Sequence, residues 1–297
     1  MKRIVKAIFG VLFLVLLMSS VGCDKNLKKV ALTGEVEEKE YLDLDGSSIV
    51  IKNIRIDDGE VIKPVYVKFA KGTEKKIVVR AQKSFFDILK IKTIRDEITI
   101  EAGVLEKYET EKIEIEVYGY KFNSVSLAQV EGIINQDSLG NDVVLDISGA
   151  SSLTVDYVNL TRVEAIASGA SHMRFNEITA DILRAEVSGA SKIVTLKTEV
   201  ATADSYISGA STVLYDGSCA NAKAKVSGAS TCEASGLKTD NVTINLSGSS
   251  TGRIYAEKSL EYSISGSSTL RYKGNANVVE KERSGASSVA ELDDLTN

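Results

Sequence analysis

Proline occurs once in this sequence, histidine once and tryptophan not at all, and only three residues are cysteine. Each scarcity excludes something. A single imidazole, on His172, cannot build a histidine-rich metal centre. Cys219 and Cys232 without neighbouring histidines do not make a zinc site. The formal net charge is −5, the wrong sign for the basic face a nucleic-acid partner needs. There is no glycine-rich phosphate loop, no carboxylate-rich calcium repeat and no dinucleotide fingerprint, so no metal and no cofactor is expected. Little proline beside 22 glycines suits stacked strands with tight corners better than a helical bundle.

What the chain does have is a phrase that keeps returning. Ser148-Gly149-Ala150-Ser151 is followed by equivalents led by Ser168, Ser188, Ser208, Ser227, Ser247, Ser265 and Ser284. The steps between them are 20, 20, 20, 19, 20, 18 and 19 residues. A fixed period in that range marks a solenoid in which each repeat is one coil. Aligned on the leading serine, the fifth residue before it is always apolar, from Val143 and Val163 through to Leu260 and Val279. The residue just before it is apolar from Ile147 to Ile264 and then becomes Arg283. Five residues after it stand Leu153, Met173, Ile193, Val213, Cys232, Gly252, Leu270 and Val289. The column one place earlier is polar throughout, from Ser152, His172 and Lys192 to Ser288.

Inward and outward columns one residue apart mean a period of two, so each flank of the motif is a strand. A column that stays apolar through eight coils means that equivalent residues stack, as parallel strands do at ~4.8 Å per coil. The predicted fold is all-β: a right-handed parallel β-helix with coils of about 20 residues, preceded by an irregular β region. Glycine turns the corner, the small residue beside it lets coils approach, and stacked serines hydrogen-bond along the ladder. Ala128-Gln129 stands one period before the first full motif and reads as a degraded starting coil. Lys281, Arg283, Glu291, Asp293 and Asp294 place charge on the last coil, which discourages end-to-end stacking.

Residues 1–22 read as a lipoprotein signal peptide. Lys2, Arg3 and Lys6 precede an apolar run from Ala7 to Met18, and small residues lead into Cys23. The run is short for a bilayer span. The segment resembles a lipobox, with Ser20 where leucine is usual, and Cys23 would carry the acyl chains. The expected location is the cell envelope, most simply the outer membrane, with the lipid anchor as membrane partner. Residues 23–45 are polar and read as a tether. Residues 46–122 hold short β-branched runs and form either a β domain or irregular coils; residues 123–297 form the repeat β-helix. Lys71-Gly72-Thr73 reads as a hairpin turn, Asp57-Asp58-Gly59 as another turn, and Ser84 to Leu89 as one helical turn.

The recurring Ser-Gly-Ala-Ser phrase does not stand alone. Val67-Lys68-Phe69-Ala70-Lys71-Gly72, Phe85-Phe86-Asp87-Ile88-Leu89, Ile98-Thr99-Ile100 and Lys121-Phe122-Asn123-Ser124-Val125-Ser126-Leu127 accompany it. Over roughly residues 45–290 the chain resembles the autotransporter-adhesin head GIN domain family, common as lipoproteins of Bacteroidetes-type bacteria. The resemblance implies a β-helix and an adhesive role, and brings no catalytic residues with it.

Eight serines sharing one base, His172, do not make a nucleophilic enzyme. His172, Arg174 and Lys192 fall on outward columns of neighbouring coils and are the candidate ligand-binding residues, suited to an anionic sugar. A solvated surface would look the same. The threonine file Thr212, Thr231, Thr251 and Thr269 lacks the second parallel threonine file of an ice-binding face, since Glu233, Arg253 and Arg271 stand beside it. Cys219 and Cys232 are a candidate disulfide in an oxidising envelope, or two small buried apolar thiols. The leading expectation is a non-catalytic envelope lipoprotein, adhesin-like or carbohydrate-binding. A structural envelope component that binds proteins is the alternative, and a polysaccharide-acting β-helix enzyme the second.

Overall fold

The computed structural model describes residues 30–56, 65–102, 104–107 and 113–292. The signal segment, Cys23, the Asp57-Asp58-Gly59 turn, Asp293 and Asp294 lie outside them. Strand accounts for 71% of the described residues and helix for 3%, which leaves no helical layer among them: the protein is a β-solenoid of about 8 turns of stacked parallel coils.

One coil shows how the sequence makes a turn. After Ser148-Gly149-Ala150-Ser151 the pairing with the next coil runs over residues 152–155, breaks, runs over 157–160, breaks again, and runs over 162–167. We call these the first, second and third sides. Within each side every second residue is buried: Leu153 and Val155, then Val158 and Leu160, then Val163, Ala165 and Ala167. At each break the step between inward residues is three instead of two. That slip is what bends a strand around a core while keeping its apolar face inward.

Register confirms the stacking. Leu153, Met173, Ile193, Val213, Cys232, Gly252, Leu270 and Val289 pair successively. So do the residues from Ile147 to Arg283 that precede the leading serines. The final coil departs from the alignment. Leu260 pairs with Val278, not Val279, and a bulge between Tyr262 and Ser263 restores the register at Arg283. Equal spacing in sequence does not reveal a bulge, which adds a residue to one strand only.

The Ser-Gly corners form a vertical file. The amides of Ala170, Ala190, Ala210 and Ala229 each donate to the glycine carbonyl one coil earlier at 2.8 Å. The corner glycines, from Gly149 to Gly285, hold φ between 71° and 79°. Gln129 has φ 63°, so the degraded first corner keeps the left-handed turn without glycine. The fourth residue of the motif points inward: Ser151, Ser171, Ser191, Ser211, Ser230, Ser250 and Ser268 are all buried. The Ser171 amide donates to Ser191 Oγ at 3.2 Å, and Ser250 and Ser268 share a hydroxyl contact at 3.2 Å. The serine ladder expected from the sequence is therefore an interior one.

The region before the repeats belongs to the same stack. On the first side, Val130–Ile134 pairs in parallel with Val65–Ala70, which pairs in parallel with Glu114–Tyr118. Lys76–Gln82 and Val36–Leu42 follow, antiparallel. On the third side, Phe122–Ala128 pairs with Ser48–Lys52, then Glu97–Glu101, and antiparallel Lys90–Ile94 closes the sheet. Two expectations are corrected here. Val36–Leu42, assigned to a tether, is a strand in the sheet, and its charged VEEKEYL sequence is what an edge strand carries to discourage further pairing. Lys71-Gly72-Thr73 does not join a hairpin, because Glu114–Tyr118 lies between Val65–Ala70 and Lys76–Gln82. The expected helical turn is present as a 3-10 turn, Lys83–Asp87, whose Phe85 is fully buried.

Candidate functional site

The first side carries the three residues singled out from the sequence. His172 and Lys192 are neighbours in register, and Arg174 lies two residues along the same strand, between Thr154 and Val194 of adjacent coils. His172, Arg174 and Lys192 are exposed, whereas Val194, next to Arg174 in the column expected to point outward, is buried. Arg174 is held in place: its Nε donates to Asn176 Oδ1 at 2.8 Å, and Asn176 Nδ2 donates to Asp156 Oδ1 at 3.0 Å.

The imidazole of His172 has its pKa pushed below 6.5 by partial burial, then by the positive charges of Lys192 and Arg174. It is uncharged at neutral pH, so the fixed positive charge of this group comes from the other two. Ser171, next to it in sequence, points to the opposite side of the strand. It is 2% exposed and its Oγ donates to the Ser168 carbonyl at 2.8 Å. The alternation that buries the serine prevents a serine-histidine pair.

Cys219 and Cys232 are free thiols, both buried, which corrects the disulfide candidate. They belong to different sides: Cys219 pairs with Val200 and Thr239, Cys232 with Val213 and Gly252. Burial pushes their pKa values up to about 11 and about 12. Among the described residues no group of three or more His, Cys, Asp or Glu could hold a metal, and no helix is long and apolar enough to cross a membrane.

The third side holds a cluster that the sequence reading missed. Tyr206 is 40% exposed, with the Arg184 guanidinium 5.0 Å and the Lys225 ammonium 5.6 Å from its ring centre. Arg184 also bonds Glu186 and lies 3.6 Å from Glu164. The column through Tyr206 mixes Ile166, Glu186, Tyr206 and Lys225, so nothing in its chemistry marks it in advance. Buried polar pairs occupy the core at this level: Thr195 with Thr198 at 2.6 Å, and Ser205 with Tyr215 at 2.9 Å.

A family described as "Putative auto-transporter adhesin, head GIN domain" matches residues 60–213 and 157–276. No curated protein matches the chain. Among solved structures, a "putative adhesin" from Parabacteroides distasonis is 16% identical with a TM-score of 0.63, covering 89% of this chain and all of its own. A "putative adhesin" from Parabacteroides merdae is 14% identical with a TM-score of 0.61, covering 89% and 99%. A "Putative lipid binding protein" from Parabacteroides distasonis is 14% identical with a TM-score of 0.61, covering 90% and 100%. At such identities these likenesses establish the fold alone.

Proposed function

The chain belongs to this adhesin-head GIN domain family, and from that premise we propose that it is a non-catalytic cell-envelope lipoprotein that presents its solenoid surface to carbohydrate or protein ligands. Acylated Cys23 anchors it, in the outer membrane on this reading. The observation that carries the proposal is the division of labour within each coil. Backbone bonds across the Gly-Ala corners and the inward residues hold the stack, as Ala190 to Gly169 at 2.8 Å illustrates. Outward side chains are left to vary from coil to coil along a rigid face. On that face Arg174 and Lys192 supply fixed positive charge and His172 a neutral hydrogen-bonding group, a combination suited to an anionic sugar or an acidic protein surface.

The test has two arms. Metabolic labelling with a fatty acid should mark the wild-type protein and not C23A, and C23A should leave the membrane fraction. Arrays of glycans and matrix proteins should give a ligand for correctly displayed protein. Failure of labelling removes the anchor; a folded, displayed protein with no ligand at any concentration removes the adhesive role.

A further inference from the structure

The second side of the stack carries an open trough of about 600 Å³, lined by neither the His172, Arg174 and Lys192 group nor Tyr206, with Cys219 in its floor. One wall is a row in cross-strand register over five coils: Asn159, Thr179, Glu199, Ser218 and Lys238. The floor is apolar, made by Leu160, Ala180, Val200 and Cys219, each exposed only at its tip. The opposite rim follows the bend between second and third sides, where Asp181 and Asp240 stand at the two ends of a stretch opened by Ala201 and Ala220. Five coils at ~4.8 Å make the trough roughly 20 Å long.

We propose that this trough binds an extended glycan carrying free primary amines. The proposal rests on the adhesive reading above and assigns it a ligand class and a place.

Charge decides the class. Three carboxylates, Asp181, Glu199 and Asp240, line the trough against one cation, Lys238. Asp240 is paired with Lys258 at 2.8 Å, but Asp181 and Glu199 have no cationic partner within salt-bridge distance among the described residues. Two unneutralised carboxylates on successive coils repel an acidic polymer and attract ammonium groups. This is the opposite preference from the Arg174 and Lys192 group, so the two surfaces do not compete for one ligand.

Shape and hydrogen bonding decide the polymer. A peptide adding itself as a strand needs an unpaired strand edge, and here both edges of each coil are already paired with the neighbouring coils. What the trough offers is side-chain groups, the amide of Asn159 and the hydroxyls of Thr179 and Ser218, above an apolar floor. Sugar rings match that division, with their C–H faces toward the exposed methyl groups of Ala201 and Ala220 and their hydroxyls toward the polar row. The coil repeat is close to the length of one pyranose ring, so successive sugars meet successive coils.

The test titrates full-length protein in detergent with a chitosan hexamer, its fully N-acetylated counterpart, and a lysine hexapeptide. Titrated at a mildly acidic pH where its amines are protonated, the amine-bearing sugar should bind, weaken with salt, and bind about tenfold or more tighter than the acetylated form, the difference expected for a charge-assisted hydrogen bond. The double substitution Asp181→Asn with Glu199→Gln should remove that preference, and Ala201→Trp should block the trough. Equal binding of the two sugars, tighter binding of the peptide, undiminished affinity in the double variant, or no binding of any probe would each overturn the inference. Cell-surface adhesion that survives in the double variant and in Ala201→Trp would leave the adhesive reading standing while the trough loses its role.

Discussion

A Cβ placed on Gly189 would stand 2.5 Å from the carbonyl oxygen of Gly169, the same oxygen that accepts the Ala190 amide at 2.8 Å. Gly189 also holds φ 74°, a left-handed conformation that side chains resist. Steric clash and backbone preference therefore act together, and the coils are drawn together at the point where a methyl group would hold them apart. Gly189→Ala should destabilise the fold by about 2 kcal/mol or more, seen as a lowered urea midpoint. Ala190→Ser should stay within about 0.5 kcal/mol of wild type, because position 190 is exposed and Ser249 and Ser267 already occupy its equivalents.

The interior serine file predicts a second sensitivity. Ser191 Oγ accepts the Ser171 amide at 3.2 Å, and both residues are 2% exposed. Ser191→Ala removes the acceptor and leaves a buried N–H without a partner. The expected cost is about 1–3 kcal/mol by equilibrium unfolding. Ser188→Ala changes a leading serine at the partly exposed corner and should cost less. Equal costs at the two positions would mean that the interior file is not specifically stabilising.

The repeat half was legible because each inward column carries its own chemistry. From Leu153 to Val289 the partners in space are the partners in the aligned sequence. The N-terminal half was not legible because its stacking neighbours are distant in the chain. Ser48–Lys52 sits between Phe122–Ala128 and Glu97–Glu101, and Val65–Ala70 between Val130–Ile134 and Glu114–Tyr118. No period connects those segments, so the strands could be named but not ordered. The grouping of His172, Arg174 and Lys192 followed from period two along the strand together with the 20-residue step between coils. The trough escaped notice for a different reason. Its wall runs Asn159, Thr179, Glu199, Ser218, Lys238, a row alike in position and unlike in chemistry. Its opening depends on small residues, Ala201 and Ala220, at a bend whose place only the pairing breaks reveal.

The single histidine makes the basic group on the first side directly measurable. Proton NMR should show one imidazole titrating below the ordinary 6.5, the shift arising from partial burial and then from Lys192 and Arg174. Lys192→Gln should raise the midpoint toward 6.5, and Arg174→Gln should do so to a smaller degree. Since the native state binds this proton less readily than the unfolded chain, protonation opposes folding. Stability should be independent of His172 above pH 6.5 and fall slightly as pH drops below it.

The thiols give a prediction at the other end of the pH scale. Cys219 and Cys232 are 6% and 3% exposed, and burial holds the thiol forms to about pH 11 and about pH 12 against an ordinary 9.0. A thiolate is the reactive species, so neither should react while the coils are closed. In the Cys23→Ala variant at about pH 8, a thiol reagent should label neither cysteine natively and both in denaturant. Linkage fixes the sign of the alkaline effect. Between 9.0 and the raised native values the folded chain retains protons that the unfolded chain has lost. The slope of stability against pH is therefore negative in that window, and unfolding should ease as pH rises above about 9. Replacing both cysteines with alanine should flatten this part of the curve while lowering stability at neutral pH, since each substitution removes buried volume from the core. A double variant whose stability falls with pH as steeply as wild type would show that other groups, such as the buried phenol of Tyr215, dominate the alkaline response.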